Sequence, residues 1–127
     1  MTDLTDETRR VARNSFEAWT GGDVTTTTSL LDPGFRFTAG DMAIEGRDAF
    51  LDAGAFPRDA RTTLVDEAYD GGTAFQLYEA TRGGRHIVVA ERLHVRDGRI
   101  VDSRFVTDMA GFMAFVGAIE PGAGAIA

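Results

Sequence analysis

The sequence predicts an α+β domain in which helices pack against one face of an antiparallel sheet. Three observations carry that prediction. Helical periodicity dominates the part before Pro57, strand-like alternation follows from Arg61, and glycine turns cut that second part into four runs. A chain of 127 residues supplies one such domain, with a core large enough to stand without staples.

Each element has its own signal. Leu4, Thr8, Val11, Ala12, Ser15, Phe16 and Trp19 recur at helical spacing and define a first amphipathic helix. Thr5 or Asp6 is placed to cap it, and Gly21-Gly22 ends it. Asp23 caps a second helix running to Leu31, although its "TTTT" run is β-branched and a weak helix former. Pro33-Gly34 turns the chain into a short strand, "FRFT". A loop from Gly40 to Gly46 leads into a third helix, "RDAFLDAGAF", stopped before Pro57. "RTTLVDEAY", "TAFQLYEAT", "HIVVAERLHV" and "RIVDSRFVT" follow, separated by Asp70-Gly71-Gly72, Gly83-Gly84 and Asp97-Gly98. Those are hairpin turns, so the four strands form a meander. Residues 109–118 suit a last short helix. The single domain is expected over 1–118, with a loose Gly/Ala tail over 119–127.

Composition narrows the function. There is no cysteine, which excludes disulfides, thiolate metal sites and cysteine nucleophiles. The net charge is −7 and all thirteen basic residues are Arg, without a clustered basic stripe, which disfavours nucleic acid as a partner. No stretch has the length of a membrane span, and "MTDLTDETRR" has no apolar signal core, so a cytoplasmic protein is expected. No phosphate loop or nucleophile motif occurs, no set of ligands converges for a metal, and no cofactor is expected.

The strand "HIVVAERLHV" holds the residue that most needs explaining. Ile87, Val89, Glu91, Leu93 and Val95 share one face, and a bare carboxylate among four aliphatic side chains is costly. A two-residue turn at Gly83-Gly84 sets Glu91 opposite Gln76 with Tyr78 diagonal to it. A three-residue turn with Gly98 as its bulge sets Glu91 opposite Ser103 and next to Phe105; a two-residue turn at Asp97-Gly98 sets it opposite Arg104. The bulged turn gives the less charged inner face and is preferred. His86 and His94 fall on the opposite face.

The chain from about residue 8 to 116 resembles the SnoaL-like branch of the nuclear-transport-factor-2-like superfamily. The resemblance rests on the order and spacing of "FEAWTGGD", "LLDPGFRF", "EGRDAF" and "VRDGRIVDSRFVTD". It implies a cone, a curved antiparallel sheet wrapped around three N-terminal helices, with a pocket at the open end. It also implies dimers through the outer sheet face, where Phe75 and Leu77 lie beside Arg92 and His94. The superfamily includes polyketide cyclases, ketosteroid isomerase, limonene epoxide hydrolase, scytalone dehydratase and non-catalytic binders, so fold alone does not settle activity.

Residue matching goes further. The essential Asp that follows the last-strand Arg in the cyclases and the epoxide hydrolase is Phe105 here, after Arg104, and the hydrolase's Arg-x-Asp pair is absent; this argues against epoxide hydrolysis. The oxyanion-hole Asp of the isomerase falls at Glu91. Its Tyr falls at Ser15, and its base falls near Phe37 or Thr38, with Asp41 the nearest carboxylate. The resulting expectation is a cofactor-independent proton-transfer enzyme for a small apolar carbonyl or polyketide-like substrate. Glu91 and Asp41 are its candidate catalytic groups. Phe16, Trp19, Phe37, Phe50, Gln76, Tyr78, Leu93, Ser103 and Phe105 are its candidate pocket residues. A non-catalytic binder or assembly protein of the same fold is the alternative.

Overall fold

The computed structural model describes residues 3–117. Its elements are α1 (Leu4–Thr20), α2 (Val24–Leu30), β1 (Leu31–Ala39), β2 (Met42–Glu45), α3 (Arg47–Asp52), β3 (Arg61–Asp70), β4 (Thr73–Arg82), β5 (Arg85–Arg96), β6 (Arg99–Val106) and α4 (Met109–Val116). The tail expected over 119–127 lies outside the described residues.

The helices form where periodicity places them, with differences at their ends. α1 buries Thr8, Val11, Ala12 and Ala18. Its N-cap is Asp3, not Thr5 or Asp6. The Thr5 hydroxyl instead accepts from the Gly71 backbone N–H at 3.0 Å, which pins the helix start to the β3–β4 turn. Asp6 pairs with Arg9 at 2.8 Å. Asp23 caps α2 by accepting from the Thr26 N–H at 3.0 Å. The threonine run is tolerated because its hydroxyls bond back, Thr27 to the Asp23 carbonyl and Thr28 to the Val24 carbonyl. α3 is six residues long rather than the ten expected. Gly54, at φ +141°, takes the chain out of helical geometry well before Pro57. Phe56 is then buried as a loop residue.

The sheet is mixed, with strand order β2-β1-β6-β5-β4-β3. β1 runs antiparallel to β2 but parallel to β6, so the sheet is not wholly antiparallel as expected. β2 was expected as loop. Its four residues, "MAIE", are mostly exposed and offer no clean alternation for a sequence reading to find. The other strands form the anticipated meander, closed by the pairs Asp70↔Thr73, Arg82↔Arg85 and Arg96↔Arg99.

That last pair corrects the turn at Asp97-Gly98. Both residues have positive φ, 53° and 76°, so this is a two-residue turn of the I′ kind rather than the bulged three-residue turn. The bulge lies one step later, at Val101, between the pairs Val95↔Ile100 and His94↔Asp102. It restores the expected face while moving the register by two residues. Ser103 and Phe105 do turn inward, but Glu91 stands opposite Phe105, and Ser103 opposite Leu93.

The core has two parts. One gathers Val11, Leu31, Phe35, Leu93, Val95 and Ile100; the other gathers Phe56, Tyr78, Ile87, Val89, Phe105 and Phe115. Phe37 packs against both. The space between the two parts is where the candidate site lies.

Candidate functional site

Four strands place one row of side chains across the inner sheet: Glu67 on β3, Gln76 on β4, Glu91 on β5 and Phe105 on β6. Above the Gln76–Glu91–Phe105 part of this row is a cavity of about 70 Å³. Its walls are aromatic. Phe16 meets Tyr78 edge-on at 5.1 Å between ring centroids, Phe37 meets Phe105 at 5.6 Å, and Phe105 meets Phe112 at 5.0 Å. Trp19, Phe35 and Phe37 all contact the Phe50 ring from α3, at 5.0–5.1 Å.

Glu91 is the polar point of this floor. Its carboxylate accepts a hydrogen bond from the Ser103 hydroxyl, with no guanidinium or ammonium beside it among the described residues. Burial dominates and pushes its pKa up to about 7, with the Ser103 hydrogen bond opposing. Tyr78, 2% exposed, is shifted well above the ordinary phenol range, first by burial and then by the nearby Glu91 charge. Its hydroxyl is therefore protonated at neutral pH and available as a donor.

Glu67 closes the other end of the row under different conditions. It accepts from Arg13 Nε at 2.6 Å and from the Tyr69 hydroxyl at 2.8 Å. The Arg13 hydrogen bond, then that of Tyr69, hold its pKa below the usual carboxylate range. Gln76 Nε2 donates to the Tyr69 oxygen at 3.2 Å, tying the middle of the row to this outer network.

The structure brings most of the anticipated pocket residues together. Phe16, Trp19, Phe37, Phe50, Gln76, Tyr78, Glu91, Leu93 and Phe105 all line the cavity. Ser103 lies beneath it, in contact with Glu91 but not among the lining side chains. Asp41 is not brought in. It is exposed in the β1–β2 turn and does not line the cavity, because Gly40-Asp41 forms a tight hairpin where an open loop at the pocket mouth was expected. Ser15, Thr27, Leu31, Phe35, Ile100 and Phe112 also line the cavity and were not foreseen as pocket residues. Ser15 had a signal, its place on the apolar stripe of the first helix beside Phe16. Phe112 had none, since nothing in the sequence fixes where α4 docks.

On the outer face, His94 Nδ1 lies 2.9 Å from Asp102, and His86 Nε2 lies 3.1 Å from Glu79. Among the described residues no three His, Asp or Glu side chains converge as a metal site requires. No helix among them is long and apolar enough to cross a membrane.

Comparison with known proteins agrees with this architecture. A Kribbella flavida protein provisionally assigned as a ketosteroid isomerase superposes with a TM-score of 0.78 at 25% identity, over 84% of this chain and 81% of its own. A second Kribbella flavida protein is 30% identical over 86% of this chain and 93% of its own, with a TM-score of 0.74. A Jannaschia protein provisionally assigned as a SnoaL-like polyketide cyclase shares 18% identity over 93% of this chain and 96% of its own, with a TM-score of 0.77, a likeness of fold alone. No curated protein is similar enough to this chain to add a further comparison. Residues 12–103 match the SnoaL-like domain, and the chain thus belongs to the SnoaL-like family, whose fold is shared by isomerases and cyclases.

Proposed function

We propose that this protein catalyses cofactor-independent proton transfer on a small carbonyl compound, as an isomerase, cyclase or dehydratase does. The observation that carries the reading is Glu91, a carboxyl group with a pKa of about 7 on the floor of an aromatic cavity. Such a group is present in both protonation states near neutral pH, where a general acid–base is most effective. In this reading Tyr78 donates a hydrogen bond to the ligand carbonyl oxygen. Glu91 takes a proton from the adjacent carbon, leaving the electron pair in an enol-like system, and returns the proton to complete the turnover. Asp41, outside the cavity, has no part in this scheme.

The test is deuterium uptake in D₂O by a panel of ketones from acetone to cyclohex-3-enone, followed by NMR. The expected result is protein-dependent exchange with an inflection near pH 7, lost by about 100-fold or more in Glu91→Gln. No exchange with any ketone, or equal exchange by Glu91→Gln, would return the cavity to a purely binding role. The second reading, a non-catalytic binder, draws on Phe105, which occupies the place where related enzymes are expected to carry an acid.

We infer in addition a homodimer through the outer sheet face. Phe75 is 53% exposed and Val106 59%, with Val65 and Val88 exposed nearby. Leu77, Ala90 and Val106 lie in one row across three strands. An apolar strip of this kind is more often an interface than free surface. Sedimentation is expected to give twice the 13.7 kDa of one chain at micromolar concentration, and Val106→Glu to give the monomer. A wild-type monomer under those conditions overturns the inference.

A further inference from the structure

The cavity is small for the aromatic shell around it. At about 70 Å³ it offers less than half the roughly 150 Å³ of an apolar cavity that holds benzene. One side chain stands at the centre of that shell. The Phe50 ring is the meeting point of three others, Trp19 from α1 and Phe35 and Phe37 from β1. It is also only part-buried, in a helix of six residues with none fully buried. Glycines of positive φ stand at both ends of that helix, Gly46 at 96° and Gly54 at 141°. Phe16 and Trp19 stand on the 17-residue α1, and Phe35, Phe37, Tyr78 and Phe105 on strands of 8 to 10 residues, whereas Phe50 stands on the shortest of the described helices.

We propose that Phe50 determines which ligands the cavity accepts. With its ring in place, the site takes an oxygen-bearing molecule of a few heavy atoms, held at Glu91 and Tyr78; removing the ring enlarges the space and admits fused-ring ketones. The proposal rests on the reading of the cavity as a carbonyl-binding site, but concerns binding size rather than turnover. It identifies a small ketone, not a polycyclic one, as the class of ligand.

The test is NMR titration of the wild type, Phe50→Ala and Phe50→Leu with butanone and with 2-decalone. Wild type is expected to bind butanone, with shifts at Tyr78 and Glu91, and not to bind 2-decalone. Phe50→Ala is expected to bind 2-decalone at least tenfold more tightly than wild type, with Phe50→Leu between them. If Phe50→Ala does not fold, the ordering of wild type and Phe50→Leu decides. Wild type that binds 2-decalone as tightly as the variants, or variants that do not bind it, overturns the proposal. Binding that follows this size order without proton exchange supports the proposal and ends the enzymatic reading alone; exchange with no size dependence at position 50 does the reverse.

Discussion

Glu67 and Glu91 flank Gln76 in the same row of the sheet, yet their acidities move in opposite directions. Glu67 lies on an edge strand, exposed, with the Arg13 guanidinium and the Tyr69 hydroxyl donating to it. Glu91 lies two strands inward, enclosed by aromatic and aliphatic groups, with one neutral hydroxyl as its hydrogen-bond partner. Row and residue type are shared, so what separates the two is solvent and a cation. The edge of the sheet uses a carboxylate to hold α1 down, while its middle keeps one where the charged form is disfavoured. Retaining Glu91 where an apolar residue would pack more favourably is a stability cost that one hydrogen bond from Ser103 does not offset, and a ligand site supplies a return.

Removing the charge at Glu91 is expected to have the largest effect on stability. A rise from 4.5 to about 7 corresponds to about 3 kcal/mol against folding with the group ionised. Below the unfolded pKa both states are protonated and the cost is absent. It grows as pH rises and levels off above the folded value. Glu91→Gln, which can still accept from Ser103, is therefore expected to stabilise by up to about 3 kcal/mol near pH 7 and to change little near pH 4. Urea unfolding at both pH values measures it. Destabilisation at pH 7 would show Glu91 to be an anchor for buried donors instead, worth about 1–3 kcal/mol in that role.

Much of this contrast is legible in the sequence. The alternation of Ile87, Val89, Leu93 and Val95 around Glu91 marks the inner face, and the two-glycine turn at Gly83-Gly84 fixes Gln76 as its neighbour. Turn chemistry fails one hairpin later. Asp-Gly suits a two-residue turn, but that turn alone would bring Arg104 inward, and the compensating bulge at Val101 has no residue-type signal. β2 is obscured for a related reason, since an exposed four-residue edge strand leaves no pattern of burial. The aromatic walls are visible as residues but not as a cavity. Whether Phe50 fills space or leaves it depends on where α3 stops, and that depends on the backbone angle at Gly54. The Arg13–Glu67 pair joins residues 54 positions apart and follows only from the docking of α1 on β3.

The edge of the sheet gives the smaller and opposite effect. A carboxylate whose folded pKa is lowered contributes stability above its unfolded pKa, and that contribution is lost as pH falls through the folded value. For Glu67 the window therefore opens below about 4.5, the acid side of the range in which Glu91 acts. The size is modest, because the pair is solvent-exposed and screened; such bridges contribute about 0–1 kcal/mol. Glu67→Gln is expected to destabilise by no more than about 1 kcal/mol at pH 7, less in 1 M salt, and to be neutral once both states are protonated in strong acid. Tyr69 and Gln76 can keep their own hydrogen bond without the carboxylate, so Glu91 should retain its inflection near pH 7 in this variant. Urea unfolding at low and high salt, with the Glu91 titration followed by carbon NMR, reads both quantities. A Glu91 inflection displaced by a full pH unit in Glu67→Gln would show that the row titrates as one coupled unit, and the division between sheet edge and cavity floor would fail.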